Sequence, residues 1–565
     1  MAKSASSGAG KSWLRRFLLA LPAAAALVLT FFFFSPLETV LSNGASFQFS
    51  AMGVVAPVMG LFSLCAIVAG AAVLSLFRGR LYGVLVAVCL AFALCLYAQG
   101  TFLSGSTPQL SGESVNWTRM KGEMLVNTAV WAVLFSIPFI LLHFRGVWKF
   151  ACVILPLAMC VMQLSGVVSL MLKPEALDQD DGCLTFEGFC DYSAEGNVLV
   201  FMVDRMDYQY IEAIEQETPD FFARLDGFTC YDNAISQFAH TRPAMNFMLT
   251  NYDVTMFREE ADDFYLHSWD DGERHILKDL KAGGYDIDLY ALTRYMLGKN
   301  FEGFTPYVSN LKMGTGYINK ARLILQMSML SAYRNFPLTM KPFFYTTTSR
   351  INTVYNRNTM YMPDESAYDK RMAKMTSASE AKRFKFYEFN GAHAPYRLNA
   401  DGKASGGTTR AVTQAKGCFE ILLRAFNRMK EAGIYRDTAI IILADHGYMY
   451  SDYAPLEYPT RIAMFYKPAG EEGTPLQRSY APVSLRNVPA TILKAAGLDS
   501  SAYGVPLDEV PDDESVVRDY IRTIADKKLG WKDCYALYYD VQYDASKLEN
   551  STLDHTENIE YPLGF

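Results

Sequence analysis

The sequence predicts a chain in two parts, a helical part that crosses a membrane five times and an outer α/β domain. Three observations point there. Hydrophobic residues make up 51% of the 565-residue chain and aromatics 14%, and the excess sits in the first third. Five long apolar runs follow one another without an internal charge. Two short β-branched runs, "NVLVFMVD" and "DTAIIILADHG", then appear far apart in the remainder, each ending in an aspartate.

The apolar runs are 17–34, 51–77, 81–98, 124–142 and 150–172. Each approaches or exceeds the ~20 residues that a helix needs to cross a bilayer. The first follows Lys11, Arg15 and Arg16 and has the form of a signal peptide, but four further spans make a retained helix the simpler reading. Orientation follows from the basic residues of the short loops. With the N-terminus inside, the inner side holds Lys3, Lys11, Arg15, Arg16, Arg78, Arg80, Arg145 and Lys149, and the outer side only Arg119, Lys121 and Lys173. Five spans that start in the cytoplasm finish outside it. The expected organisation is a transmembrane domain over 1–173, a turn-rich acidic linker over 174–196, a catalytic α/β domain over 197–510, and a small strand-built subdomain over 511–565. The net charge of −7, with no long basic run, excludes nucleic acid as a natural partner.

In the outer part, continuous apolar runs read as buried parallel strands. Helical patterns lie between and around them: "MDYQYIEAIEQ", "RHILKDLKAGGYD" and "QAKGCFEILLRAFNRMKEAGIY". The last two stop at a glycine. Strands alternating with helices imply a sheet covered on both faces, and ligands of such sheets sit at the carboxyl ends of the strands. Asp204, Asp445 and His446 all fall at such ends. Two carboxylates and an imidazole suit a divalent cation, with the histidine favouring Mn²⁺ or Zn²⁺. The stretch 317–344 reads as a core helix, with a helix lying on the membrane face as the alternative. In "CLTFEGFC", Cys183 and Cys190 could close a short disulfide or remain free thiols.

"ISQFAHTRPAMNFML" raises a separate question. Pro243 suits a first helical position and pushes Arg242 out of helical geometry. Thr241 would then lie just ahead of a helix N-terminus, where anions are favoured. A metal-bound threonine there could be a nucleophile. Taken alone, the string reads as a capping threonine, and His240 as structural.

The ordered set "NVLVFMVD", "AHTRPAMNF", "FNGAHAPY" and "DTAIIILADHG" resembles the alkaline phosphatase–sulfatase superfamily. The five spans ahead of it, "LKAGGYD" and "SLRNVPATILKAAGL" resemble the lipoteichoic acid synthases and related phosphoglycerol transferases. The resemblance implies an alkaline phosphatase-like, sulfatase-like fold with one divalent ion, Mn²⁺ first and Zn²⁺ or Mg²⁺ as alternatives, held by Asp204, Thr241, Asp445 and His446. It implies that Thr241 attacks a membrane phospholipid donor and that the phosphoglycerol head group passes through phospho-threonine to a cell-envelope glycan or glycolipid acceptor. The alternatives are a phosphoethanolamine transferase and a phosphodiesterase or hydrolase of the same superfamily. A catalytically dead, polymer-binding homologue is the reading from another class, disfavoured by the intact set. His393 matches the histidine that faces the substrate phosphate in the family, against a buried structural role. Arg242 could neutralise substrate phosphate or form a surface ion pair, and Arg294 is the candidate for gripping the head group.

The chain departs from the synthases in carrying Asp204 where they place Glu, in Arg242 after the threonine, and in lacking an evident aromatic-and-arginine set after "GGYD". Second-metal histidines are missing after "ADHGYMY". "TRPAM" replaces the C-x-P-S-R of sulfatases, so sulfate-ester hydrolysis is not expected.

Overall fold

The computed structural model describes residues 2–44, 47, 49–105, 107–108, 110, 115–172, 182–238, 240–251, 275–292, 302–314, 317–355, 359–360, 365–447, 461–512, 518–526, 532–540 and 553–563. Its contacts divide the chain into two units. One holds Met1–Asp181 and Thr315–Asn356, the other Gly182–Gly314 and Arg357–Phe565.

The first unit contains five helices long and apolar enough to cross a membrane: Ser12–Ser42, Ala51–Leu76, Gly79–Phe102, Trp117–Leu141 and Gly146–Met171. The first and the fourth extend well beyond the expected apolar runs, because a helix continues through polar turns that a hydropathy boundary cuts off. Several polar side chains inside them are partnered. Gln99 Oε1 accepts from Asn127 Nδ2 and from Trp131 Nε1, each at 2.8 Å. The helix Lys320–Asn335 packs in this same unit. Arg334 Nη2 lies 2.7 Å from Glu38 Oε2, Asn335 Nδ2 donates to Ser35 Oγ, and the Leu338 amide donates to Asn127 Oδ1 at 2.9 Å. Gly100 allows the close approach: a Cβ there would stand 2.1 Å from Asn335 Oδ1.

The second unit is built on a seven-stranded sheet. In chain order its strands are β1 (Asn197–Val203), β2 (Thr229–Tyr231), β3 (Tyr285–Tyr290), β4 (Lys382–Phe389), β5 (Thr438–Leu443), β6 (Met464–Lys467) and β7 (Gln477–Ser479). Their order across the sheet is β7-β2-β6-β5-β1-β4-β3. The run β5-β1-β4-β3 is parallel throughout, and β6 is antiparallel to both β5 and β2. β1 and β5 are buried along their whole length, as strands covered on both faces must be. The three expected helices form as Tyr208–Glu217, Ile276–Ala282 and Ala411–Glu431. Residues Arg518–Asp526, Lys532–Asp540 and Leu553–Leu563 make an antiparallel three-stranded sheet. Cys183 and Cys190 are free thiols, and Cys190 Sγ donates instead to the Arg371 carbonyl at 2.9 Å.

One buried ion pair ties β4 to β3. Lys385 Nζ lies 2.9 Å from Asp288 Oδ2 and 2.5 Å from the Gly188 carbonyl, and both side chains are buried. Burial pulls the Lys385 ammonium below its usual range, and the Asp288 carboxylate opposes that shift. Lys385→Met is expected to destabilise the chain by about 3–5 kcal/mol, the cost of leaving a buried charge uncompensated, softened by Arg383 at 3.5 Å from the same carboxylate. Lys385→Met combined with Asp288→Leu should regain much of the loss. Thermal melts of the two variants decide the point, and equal losses would mean that the pair is not a unit.

Candidate active site

Three adjacent parallel strands deliver the candidate residues to one end of the sheet. β1 runs directly into Asp204, β5 into Ala444, Asp445 and His446, and β4 into the turn that carries His393. Continuous pairing along β1 fixes their relative height: Val203 at its end lies opposite Phe389, the last residue of β4, and Leu443, the last residue of β5, lies opposite Met202 one position earlier.

Asp204, Asp445 and His446 come together. One ligand atom from each lies within 4.8 Å of the others, and all three residues are buried. His446 Nε2 is 3.7 Å from Asp204 Oδ1 and 3.6 Å from Asp445 Oδ2. Its other ring nitrogen, Nδ1, sits 2.7 Å from the Gly447 carbonyl. A carbonyl oxygen only accepts, so Nδ1 carries a proton and Nε2 is the ring atom turned toward the carboxylates.

The backbone around the carboxylates is shaped to aim them. Arg205 adopts a left-handed φ of 55°, uncommon for a residue with a side chain. Its amide donates to Asp445 Oδ1 at 3.1 Å and so turns Oδ2 inward. Asp204 is held by its own backbone, its amide donating to the Phe389 carbonyl at 3.0 Å and its carbonyl accepting from the Ala392 amide at 2.8 Å. Gly391, with φ of 57°, presses against this point: a Cβ there would meet the Asp204 carbonyl oxygen at 2.2 Å.

These residues fit a divalent cation. Asp204 Oδ1 and Asp445 Oδ2 are buried and have no hydrogen-bond partner among the described residues. Buried polar atoms are nearly always satisfied, and two carboxylate oxygens turned toward one imidazole nitrogen call for a cation. Burial, and after it the neighbouring Asp445 carboxylate, push the Asp204 carboxyl well above its usual range, with Arg205 opposing. A bound cation reverses that logic.

Thr241 joins the cluster. Its Oγ1 lies 3.4 Å from His446 Nε2. The helix begins two residues earlier than expected, running Thr241–Thr250 with His240 as N-cap and no side-chain capping bond. Thr241 is therefore not a cap. Arg242 is helical rather than extended, and Pro243 occupies the third helical position. The first-turn amides of a helix have no intrahelical partner, so proline is tolerated there as well, and the bias of the residue before proline yields to it.

His393 is partly buried, with Nδ1 2.5 Å from the Ala394 carbonyl. Burial, and after it the charge of Arg205, hold the imidazole below its usual range, so it is neutral with Nε2 bare. The side chain of Arg242 and the whole of Arg294 lie outside the described residues. Sequence reasoning missed Glu388, one residue from the end of β4. Its carboxyl accepts from the Leu292 amide at 2.7 Å, and burial pushes it up to about 8. A lone acid in the otherwise apolar close of "KFYEF" was the available signal. It also missed Arg205, which nothing but its place beside Asp204 marks out.

The chain resembles several solved structures over much of its length. A Bacteroides fragilis protein assigned as a sulfatase shares 14% identity over 64% of this chain and 89% of its own, with a TM-score of 0.42. A phosphonate monoester hydrolase from Silicibacter pomeroyi shares 15% over 64% and 88%, at 0.39. A protein of the alkaline phosphatase superfamily from Vibrio parahaemolyticus shares 13% over 67% and 85%, at 0.38. No curated protein matches. The family model described as Sulfatase matches residues 196–498, more than half of the chain and the whole stretch that carries Asp204, Thr241, His393, Asp445 and His446. The chain belongs to the sulfatase family.

Proposed function

We propose that this protein is a membrane-anchored, metal-dependent transferase that moves a phosphoglycerol head group from a phospholipid to a cell-envelope glycan or glycolipid through a covalent phospho-threonine. The observation that carries the reading is the Thr241 hydroxyl set against His446 beside two unpartnered carboxylate oxygens. Asp204, Asp445, His446 and Thr241 would hold one divalent ion, Mn²⁺ in the first instance. Such an ion lowers the pKa of the hydroxyl and offsets phosphate charge.

The rest follows from the chain's own groups. Thr241 Oγ attacks the phosphorus of the phosphodiester; its bond to phosphorus forms as the bond to the diacylglycerol oxygen breaks. Diacylglycerol leaves with a proton, replacing the one that Thr241 gives up to solvent. The acceptor hydroxyl then attacks the phospho-threonine: its oxygen bonds to phosphorus as the Thr241 Oγ–phosphorus bond breaks, and Thr241 regains a proton. The amides of Thr241 and Arg242 head the helix and favour the anionic phosphate. His393, neutral with Nε2 bare, is placed in this reading to receive the acceptor's proton. The five helices would anchor the catalytic unit outside the cytoplasm, where donor and acceptor share one lipid surface and meet at high effective concentration.

Intact-protein mass spectrometry tests the nucleophile. With Mn²⁺ and phosphatidylglycerol, the wild-type chain should gain the mass of one glycerol phosphate on Thr241. Thr241→Ala should gain nothing and lose at least about 10³-fold in transfer. An ethanolamine phosphate adduct from phosphatidylethanolamine would move the donor to the runner-up transferase, and free head group without adduct would indicate hydrolysis. Transfer by Thr241→Ala at the wild-type rate would sink the nucleophile assignment.

The metal set has a separate readout. Asp445→Asn should weaken Mn²⁺ binding by calorimetry at least about 10–100-fold, the range seen when even a residue behind a ligand is changed. Unchanged affinity would remove Asp445 from the set.

A further inference from the structure

The first unit holds a second feature that the proposed chemistry does not use. A cavity of about 620 Å³ opens among Thr39, Ser42, Asn43, Ser104, Thr107 and Thr348. Its size falls in the roughly 300–1,000 Å³ range of small-molecule sites. Phe47, Leu330 and Tyr333 complete the wall with apolar and aromatic surface. The helix Ser35–Ser42 closes the first span, and the helix Gly79–Phe102 forms the third. Those two spans run in the same direction, so their ends lie on one side of the membrane, and the fourth span begins on that side at Trp117. The Trp117 ring meets Tyr345 edge-on at 6.1 Å. Aromatic pairs with a polar tip belong at head-group depth. Phe343, on the same stretch as Leu330 and Tyr333, is 80% exposed, which suits contact with lipid rather than water.

The chemistry of the wall narrows the occupant. Hydroxyls and an amide both donate and accept, as a polyol requires. The cation in the described lining, Arg334, is already engaged: it pairs with Glu38 and donates to the Ser35 carbonyl at 3.1 Å and to Thr39 Oγ1 at 3.2 Å. With that cation already balanced by Glu38, an anionic head group would find no spare positive charge in the described lining, a costly arrangement where water is scarce.

We propose that this cavity binds the neutral, polyhydroxyl head group of a membrane glycolipid while its acyl chains remain in the bilayer. Its role as the place where the acceptor waits rests on the transfer reading above; the binding does not.

The test uses the full chain in phosphatidylcholine nanodiscs doped with diglucosyl-diacylglycerol, diacylglycerol or phosphatidylglycerol, with retained lipid read by native mass spectrometry. The glycolipid should be retained over both others. Ser42→Ala keeps the shape and removes one hydroxyl of the wall, and it should cut retention about fivefold, the worth of one hydrogen bond. Ser104→Phe should abolish it, and Thr241→Ala should leave it intact. Retention of diacylglycerol equal to that of the glycolipid, preference for phosphatidylglycerol, or unchanged binding by both cavity variants would each overturn the proposal. Transfer measured on the same samples separates the two readings. A wild-type chain that retains glycolipid and transfers nothing would remove the transfer reading and leave the cavity standing.

Discussion

Two carboxylates buried side by side, with one oxygen of each left bare, are the constraint on which the second unit turns. At about 4 Å and an effective dielectric near 20, two such charges repel by roughly 4 kcal/mol. Asp204 and Asp445, at the ends of neighbouring strands, have ligand oxygens within 4.8 Å of each other. The charge of Arg205 offsets only part of it: its amide takes the outer oxygen of Asp445, and the inner oxygens are left facing His446. The fold thus stores a demand for positive charge at one point, and Thr241 stands at its edge. A structural acid could have been capped by a turn amide. Here a turn amide takes only the outer oxygen of Asp445, and the inner oxygen of each acid has no hydrogen-bond partner among the described residues, which is why a site of this shape reads as chemistry.

The surroundings make the arrangement hard to relax. Gly391 touches the Asp204 backbone so closely that any side chain would push it. Arg205 keeps a left-handed backbone to reach Asp445, a strain that the parallel pairing of β1 on both sides sustains. Glu388 adds a third buried carboxyl behind them, and burial holds it up to about 8, so it is largely protonated at neutral pH and adds little further negative charge.

Much of this was legible in the sequence, because strand ends are. Continuous apolar runs that stop at an acid give both the strand and the position of the acid, and β1 and β5 form where those runs lie. The meeting of Thr241 with His446 is a different matter. The two are 205 residues apart, and local rules put the helix start at Pro243. The proline rule is right about the first turn and blind to where within that turn it falls. Glu388 and Arg205 escaped for a related reason: their roles lie in backbone contacts across strands, which leave no periodic mark. The open choice at Cys183 and Cys190 was settled by partners far away in sequence, since the Arg371 carbonyl takes the Cys190 thiol.

The stretch 317–355 shows the same limit in the first unit. It has neither the length nor the hydropathy of a span, and its composition leaves a core helix and a helix on the membrane face both open, with the core helix preferred. Yet polar groups within a membrane are expensive unless they are paired, and the spans carry several. Glu38, Ser35 and Asn127 find their partners in Arg334, Asn335 and the Leu338 amide. Lys341, fully buried, reaches the Tyr333 and Arg334 carbonyls that the end of their helix leaves open. The cost of those polar residues in the spans and the unremarkable composition of 317–355 are therefore one fact seen from two sides. The helices can keep a carboxylate and amides near their ends because a distant segment supplies the matching charge and donors, and that segment holds its place because they are there.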